Sequence, residues 1–357
     1  FSLISLLILE TIFFFNYTTP EFNVYVCQLP LKAALVYFFW KGINSEKLKY
    51  WIFIGVLSSF GVLTHYSFIF ILFSLLIFLI LLPKKKNNLI KNILISFSIF
   101  FVIMIPHLLW LFENNFETIQ YAIRRSDVES TILAKHIYNP ILFILKQTGM
   151  VLFFLFTFFS IISVKKIKKF DFNFQDKKKM FLFCITLLPL IIVFFVSLIS
   201  GAKIRTMWMS TFYLFFGILF FYYFNRAVNL KKIKNFLFIC ILLLLLSPIT
   251  YFYVSITNDK KRTDFPGKEI ARLVQNKWDQ NFVNEIKIVV GDEWYAGNLS
   301  YHLKSRPIWF NDLNNRIAEI KKVQGVIYVG NPKILKKICP GEFGAIRPVG
   351  YCMIGRR

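Results

Sequence analysis

The sequence predicts an all-α polytopic membrane region followed by a small α/β domain, on three observations. The chain of 357 residues is 56% hydrophobic, and its apolar runs repeatedly approach the ~20 residues that a helix needs to cross a bilayer core. Connections between those runs alternate between strongly basic and nearly uncharged. After about residue 257 the long runs stop and short β-branched stretches ending in Gly take their place.

Run length places nine spans, at about 1–15, 24–40, 50–63, 67–82, 92–112, 138–164, 180–200, 207–225 and 235–256. The run 50–63 is short, and 138–164 is long enough to tilt or to include an interfacial turn. The chain opens at Phe1 inside the run "FSLISLLILETIFFF", with no Met, no charged leader and no small-residue cleavage site. That predicts no signal peptide and a chain lacking its N-terminus.

One set of connections, "KGINSEKLK", "PKKKNNLIK", "KKIKKFDFNFQDKKK" and "RAVNLKKIK", holds 18 basic residues. The other set, "NYTTPEFN", "THY", the 113–137 loop and "GAKIR", holds five: Arg124, Arg125, Lys135, Lys203 and Arg205. The positive-inside rule puts the first set in the cytoplasm and the second on the opposite face. The last span then exits outward, carrying residues 258–357 with it. The net charge of +24 follows from these loops, so nucleic acid is not an expected partner.

In the tail, "PGKEIARLVQNKW", "EWYAGNLSYHLK" and "PKILKKI" have helical spacing, "EIKIVVGD" and "VQGVIYVG" are strand-like, and "GAIRPVGYCMIGRR" suggests a terminal hairpin. About 100 residues suffice for a modest core. Cys339 and Cys352 both fall here and can either pair outside the cytoplasm or remain free, whereas Cys184 and Cys240 lie within spans.

The charge of "GAKIRTMW" is the feature that topology alone does not explain. Lys203 and Arg205 face outward at the depth of a lipid phosphate, which an Arg guanidinium matches bidentately. Both can equally snorkel to bilayer headgroups. At the same depth stand His65 in "THY", His107, Glu113 and Asn114 in "IPHLLWLFENNF", and then Arg124 and Arg125. The membrane core is otherwise nearly free of charge, with Lys146 as the exception in the later spans. Such a face suits a reaction on a lipid-linked anion. No Cys or His spacing meets a metal pattern, and no nucleotide loop or Ser-His-Asp spacing is found, so no metal-site residue is assigned, no cofactor is identified, and a divalent metal stays open.

The succession "TPEFNVYVCQLPLKAALVYFFWKG", "GVLTHYSFIFIL", "IPHLLWLFENNF", "GAKIRTMWMSTF" and "DEWYAGNLSYHLKSRP" resembles the PMT-type family 39 glycosyltransferases, which include relatives of ArnT and the protein O-mannosyltransferases. The resemblance implies a GT-C fold in the bacterial inner membrane with the tail in the periplasm. It implies an inverting transfer of sugar from a polyprenyl-phosphate donor to a lipid, glycan or protein acceptor. By position, Arg205 and Lys203 become donor-phosphate ligands. His65 stands where such proteins commonly have Lys, and His is only partly charged near neutral pH. The family's catalytic Asp lies in the first outer loop, which would precede Phe1. The pair Asp292-Glu293 reads as a turn or helix cap, and Glu113 with His107, Asn114, Arg124 and Arg125 remains as substrate-site candidates. A polysaccharide polymerase or ligase, a lipid-linked sugar transporter and a noncatalytic relative stay as alternatives.

Overall fold

Leucine, isoleucine and phenylalanine fill the apolar runs, and in a medium without water their backbone groups are best satisfied as helix. The computed structural model describes residues 2–18, 22–45, 47–82, 88–126, 133–166, 176–258, 264–310 and 325–357. The chain divides into two compact units, Phe1–Tyr253 and Val254–Arg357.

The first unit is helical. Its elements are α1 (Ser2–Leu7), α2 (Phe13–Asn16), α3 (Val24–Ser45), α4 (Leu48–Thr64), α5 (Ile69–Leu81), α6 (Leu89–Glu113), α7 (Glu117–Arg125), α8 (Lys135–Met150), α9 (Leu152–Ile161), α10 (Lys177–Ser200), α11 (Phe216–Tyr223) and α12 (Ile233–Thr257). A ten-residue 3₁₀ segment, Thr206–Phe215, precedes α11.

Nine runs do not become nine full-length helices. Among the described residues, four helical stretches are long and apolar enough to cross a membrane: Leu89–Glu113, Lys177–Ser200, Thr206–Tyr223 and Leu230–Thr257. A fifth is added if α8 and α9, bent by 49° at their junction, count as one span. The rest fall short for different reasons. The 1–15 run is broken where Ile12 turns extended, α4 has 17 residues and α5 has 13. The 22-residue α3 carries Gln28, Lys32 and Lys41.

Small residues let these helices approach. At Gly55 a Cβ would run into the Ser96 carbonyl, and the Ser96 hydroxyl donates to the Trp51 carbonyl at 2.6 Å, so α4 and α6 meet backbone to backbone.

The second unit contains α13 (Gly267–Asn281), β1 (Ile288–Val290), α14 (Tyr295–His302), β2 (Ile308–Phe310), β3 (Val326–Gly330), α15 (Pro332–Ile338), β4 (Glu342–Ile346) and β5 (Val349–Ile354). The sheet order is β2-β1-β3-β5-β4, parallel among β2, β1 and β3 and antiparallel among β3, β5 and β4. Alternation along β5 sorts the two faces. Val349, Tyr351 and Met353 join Ile270, Val274 and Trp278 of α13, while Cys352 and Ile354 face Leu335 of α15. The tail segments read as helices and strands take those forms, and β2 is an addition. Cys339 and Cys352 are joined in a disulfide with Cα atoms 5.5 Å apart. The Asp292 carboxylate accepts from the backbone N–H of Trp294 at 2.9 Å and Tyr295 at 2.5 Å, the capping role read for that pair.

Candidate functional site

The site begins at the turn between α4 and α5. A Cβ at Gly61 would overlap the Phe68 ring, so glycine lets the chain fold back sharply there. His65 occupies the turn in extended conformation. Its Nδ1 lies 2.9 Å from the Ser67 hydroxyl, and its Nε2 lies 3.4 Å from the Tyr25 hydroxyl on α3. Its ring also approaches Trp208, with centroids 6.1 Å apart. Burial lowers the His65 pKa below its ordinary value of 6.5, so the imidazole is neutral at pH 7. It acts there as a polar neighbour and not as a fixed cation.

The next residue, Tyr66, links two further elements. Its hydroxyl is 2.8 Å from His107 Nε2 on α6 and 2.7 Å from the Thr118 hydroxyl on α7. His107 stacks on Trp110. Beyond α6 the chain reverses through Asn115 and Phe116, both in the left-handed region. A bulky Phe there costs about 1 to 2 kcal/mol, which the packing of α7 must offset. The reversal carries α7 to Tyr66 and brings Arg125 into electrostatic range of the Tyr25 hydroxyl, together with Arg205.

The 201–206 connection is anchored from several sides. Gly201 ends α10 with φ of 67°, Asn139 of α8 donates to its carbonyl at 2.7 Å, and the Lys203 backbone N–H donates to the Ser126 carbonyl at 2.8 Å. The side chains of Lys203 and Arg205 remain exposed. The 3₁₀ segment that follows lines a cleft of about 210 Å³ with Thr206, Met207 and Ser210, opposite Phe13, Phe14 and Phe15 and the N-terminal end of α3. Ser210 is 8% exposed and its hydroxyl has no hydrogen-bond partner among the described residues.

The structure therefore joins His65, His107, Arg125, Lys203 and Arg205 through Tyr25, Tyr66, Ser126 and Trp208. It does not join the other candidates to them. Arg124 pairs with Glu117 at 2.6 Å, the Asn114 side chain turns back to the Trp110 carbonyl at 2.9 Å, and Glu113 is exposed at the end of α6. Among the described residues no group of three or more His, Cys, Asp or Glu could hold a metal ion. Sequence reading missed Tyr25, Ser210 and, above all, Lys32, a fully buried lysine inside α3. The signal for Lys32 was present: Gln28 and Lys32 stand four apart on one helix face.

Comparison with known proteins adds one finding to this geometry. Residues 1–110 match the dolichyl-phosphate-mannose-protein mannosyltransferase family. The match bears out the PMT-type resemblance over that stretch. It takes in Tyr25, Lys32, His65, Tyr66 and His107, and it stops before Arg125, Lys203 and Arg205. No curated protein and no solved structure matches the chain. With its apolar helices, the chain is a multi-pass membrane protein whose family match supports glycosyltransferase function in general terms.

Proposed function

We propose that the protein transfers a sugar from a polyprenyl-phosphate donor to a lipid, glycan or protein acceptor at the outer face of the inner membrane, with inversion. The acceptor oxygen bonds to the anomeric carbon, the bond from that carbon to the phosphate oxygen breaks, and polyprenyl phosphate leaves. The acceptor's proton passes to a carboxylate base, and cations stabilise the charge growing on the leaving phosphate. On the donor side Arg205, with Lys203, binds the phosphate, and neutral His65 lies beside Tyr25, which lines the cleft.

The observation that carries this reading is the placement of exposed Arg205 directly before the segment whose Thr206, Met207 and Ser210 line the cleft. At about 210 Å³ the cleft is smaller than the ~300 Å³ at which drug-sized ligand sites begin, which favours a one-sugar donor over a lipid-linked oligosaccharide. The Cys339–Cys352 disulfide supports an oxidising compartment, hence the periplasm, for the C-terminal unit. The measurement is transfer from polyprenyl-phosphate sugar by Arg205→Ala and Lys135→Ala variants of a full-length version that includes the segment upstream of Phe1. Arg205→Ala should lose about a hundredfold or more, and Lys135→Ala little. Equal activity of the two variants would sink the assignment. Turnover of an oligosaccharide donor only would transfer the protein to the polymerase or ligase class.

A further inference from the structure

Lys32 is 0% exposed, one helical turn below Gln28 in α3. Its amine donates to the Thr211 hydroxyl at 2.7 Å and stands 3.5 Å from the centroid of the Phe212 ring. The Thr211 hydroxyl donates to the Gln28 side-chain oxygen Oε1 at 3.5 Å, and the Gln28 side-chain amide donates to the backbone carbonyls of His65 at 2.8 Å and Gly61 at 3.3 Å. Among the described residues no carboxylate pairs with Lys32.

Burying an amine this way opposes stability, since a Met or Leu of similar volume would pack with no desolvation cost. Ionisable residues inside membrane helices that survive this cost are functional by default. The element that Lys32 grips is unusual as well. A 3₁₀ helix rarely runs beyond three or four residues, because its hydrogen bonds are poorly aligned and its side chains eclipse. Thr206–Phe215 runs for ten and needs to be held from outside.

We propose that Lys32 is a positioning residue that pins the 3₁₀ segment to α3, and through it sets Ser210 in the cleft wall and Arg205 at the head of the segment. Thr211 and Phe212 are the contact points, Ser210 is the neighbour of Thr211, and Arg205 directly precedes the segment. Gln28 extends the same chain of bonds to the His65 turn. The inference deepens the donor-site reading, and rests on it only for what the pinned residues bind.

The test uses the full chain in detergent with Cys27→Ser and Met209→Cys, which puts a thiol at a residue 1% exposed within the segment. The native Cys184 and Cys240 are buried elsewhere and report on unfolding. Lys32→Met and Thr211→Val should each speed maleimide labelling at position 209 by about tenfold. Thr211→Ser, which keeps the hydroxyl, should label like the parent, and Cys184 and Cys240 should stay protected throughout. Unchanged protection of position 209 in Lys32→Met, or opening of all three thiols together, overturns the proposal. A second arm measures binding of polyprenyl phosphate, which Lys32→Met should weaken about tenfold. A parent that binds none removes the donor reading, while the labelling still decides the role of Lys32.

Discussion

Helices α12 and α13 pose the same question with opposite answers. In α12 most apolar side chains point outward: Leu245 is 61% exposed, Phe238 66% and Ile249 64%. In α13 Ile270, Val274 and Trp278 turn inward, and the outward positions are mostly polar. The hydrophobic effect acts on both, so the difference lies in the solvent each helix is built for. An exposed leucine on α13 is an ordinary surface residue, whereas on α12 it is the residue that lipid requires.

That contrast is broken most directly by putting the same charge on both helices. Leu245→Arg, at the middle of α12, should cost about 2.5 to 3.5 kcal/mol of insertion free energy, read as the inserted fraction in a membrane-integration assay. Leu273→Arg on α13, at a residue 45% exposed, should stay within about 0.5 kcal/mol. Equal effects would mean that α12 does not face lipid.

A smaller effect sharpens the comparison from the other side. The disulfide closes a segment with a sequence separation of 13 in the second unit, and the three free cysteines lie in the first. Replacing Cys339 and Cys352 by Ser should therefore destabilise the second unit by about 3 kcal/mol and leave the helical unit unchanged, as followed by hydrogen exchange. A matching loss of protection in α10 would show that the two units do not unfold separately.

The smallest effect is alkaline. Burial, aided by the charges of Tyr295 and Asp292, pushes the Tyr351 hydroxyl up to about 12 from its ordinary 10. Unfolded chains then release this proton before folded ones do, so the stabilisation is complete below pH 10 and is lost as pH rises towards 12. Tyr351→Phe should show a shallower loss of stability across that window than the parent in denaturant titrations. Parallel curves would remove Tyr351 from the cause.

Much of the tail was legible because alternation and turn chemistry are local: "VQGVIYVG" and "GYCMI" alternate with period two, and "PKILKKI" starts with Pro after an Asn cap. Strand β2 escaped because "IWF" is only three residues and acquires its identity from pairing with β1. The spans were legible as apolar runs and not as full-length helices, since run length does not see the break at Ile12 or the bend between α8 and α9. At the candidate site, Arg205 and His65 stood out as charge or polarity in short connections. Lys32 did not, because only packing tells a lysine that reaches the interface from one sealed under Phe212.

The sequence by itself determined that this chain carries apolar helices suited to a membrane and ends in a small sheet-bearing tail, because hydrophobicity is summed along the chain and alternation is local. The tertiary structure decided which polar residues meet. Tyr25, Lys32, His65, Tyr66, Thr211 and Arg205 come from helices and turns far apart in the chain, and distances between them exist only once the helices have packed.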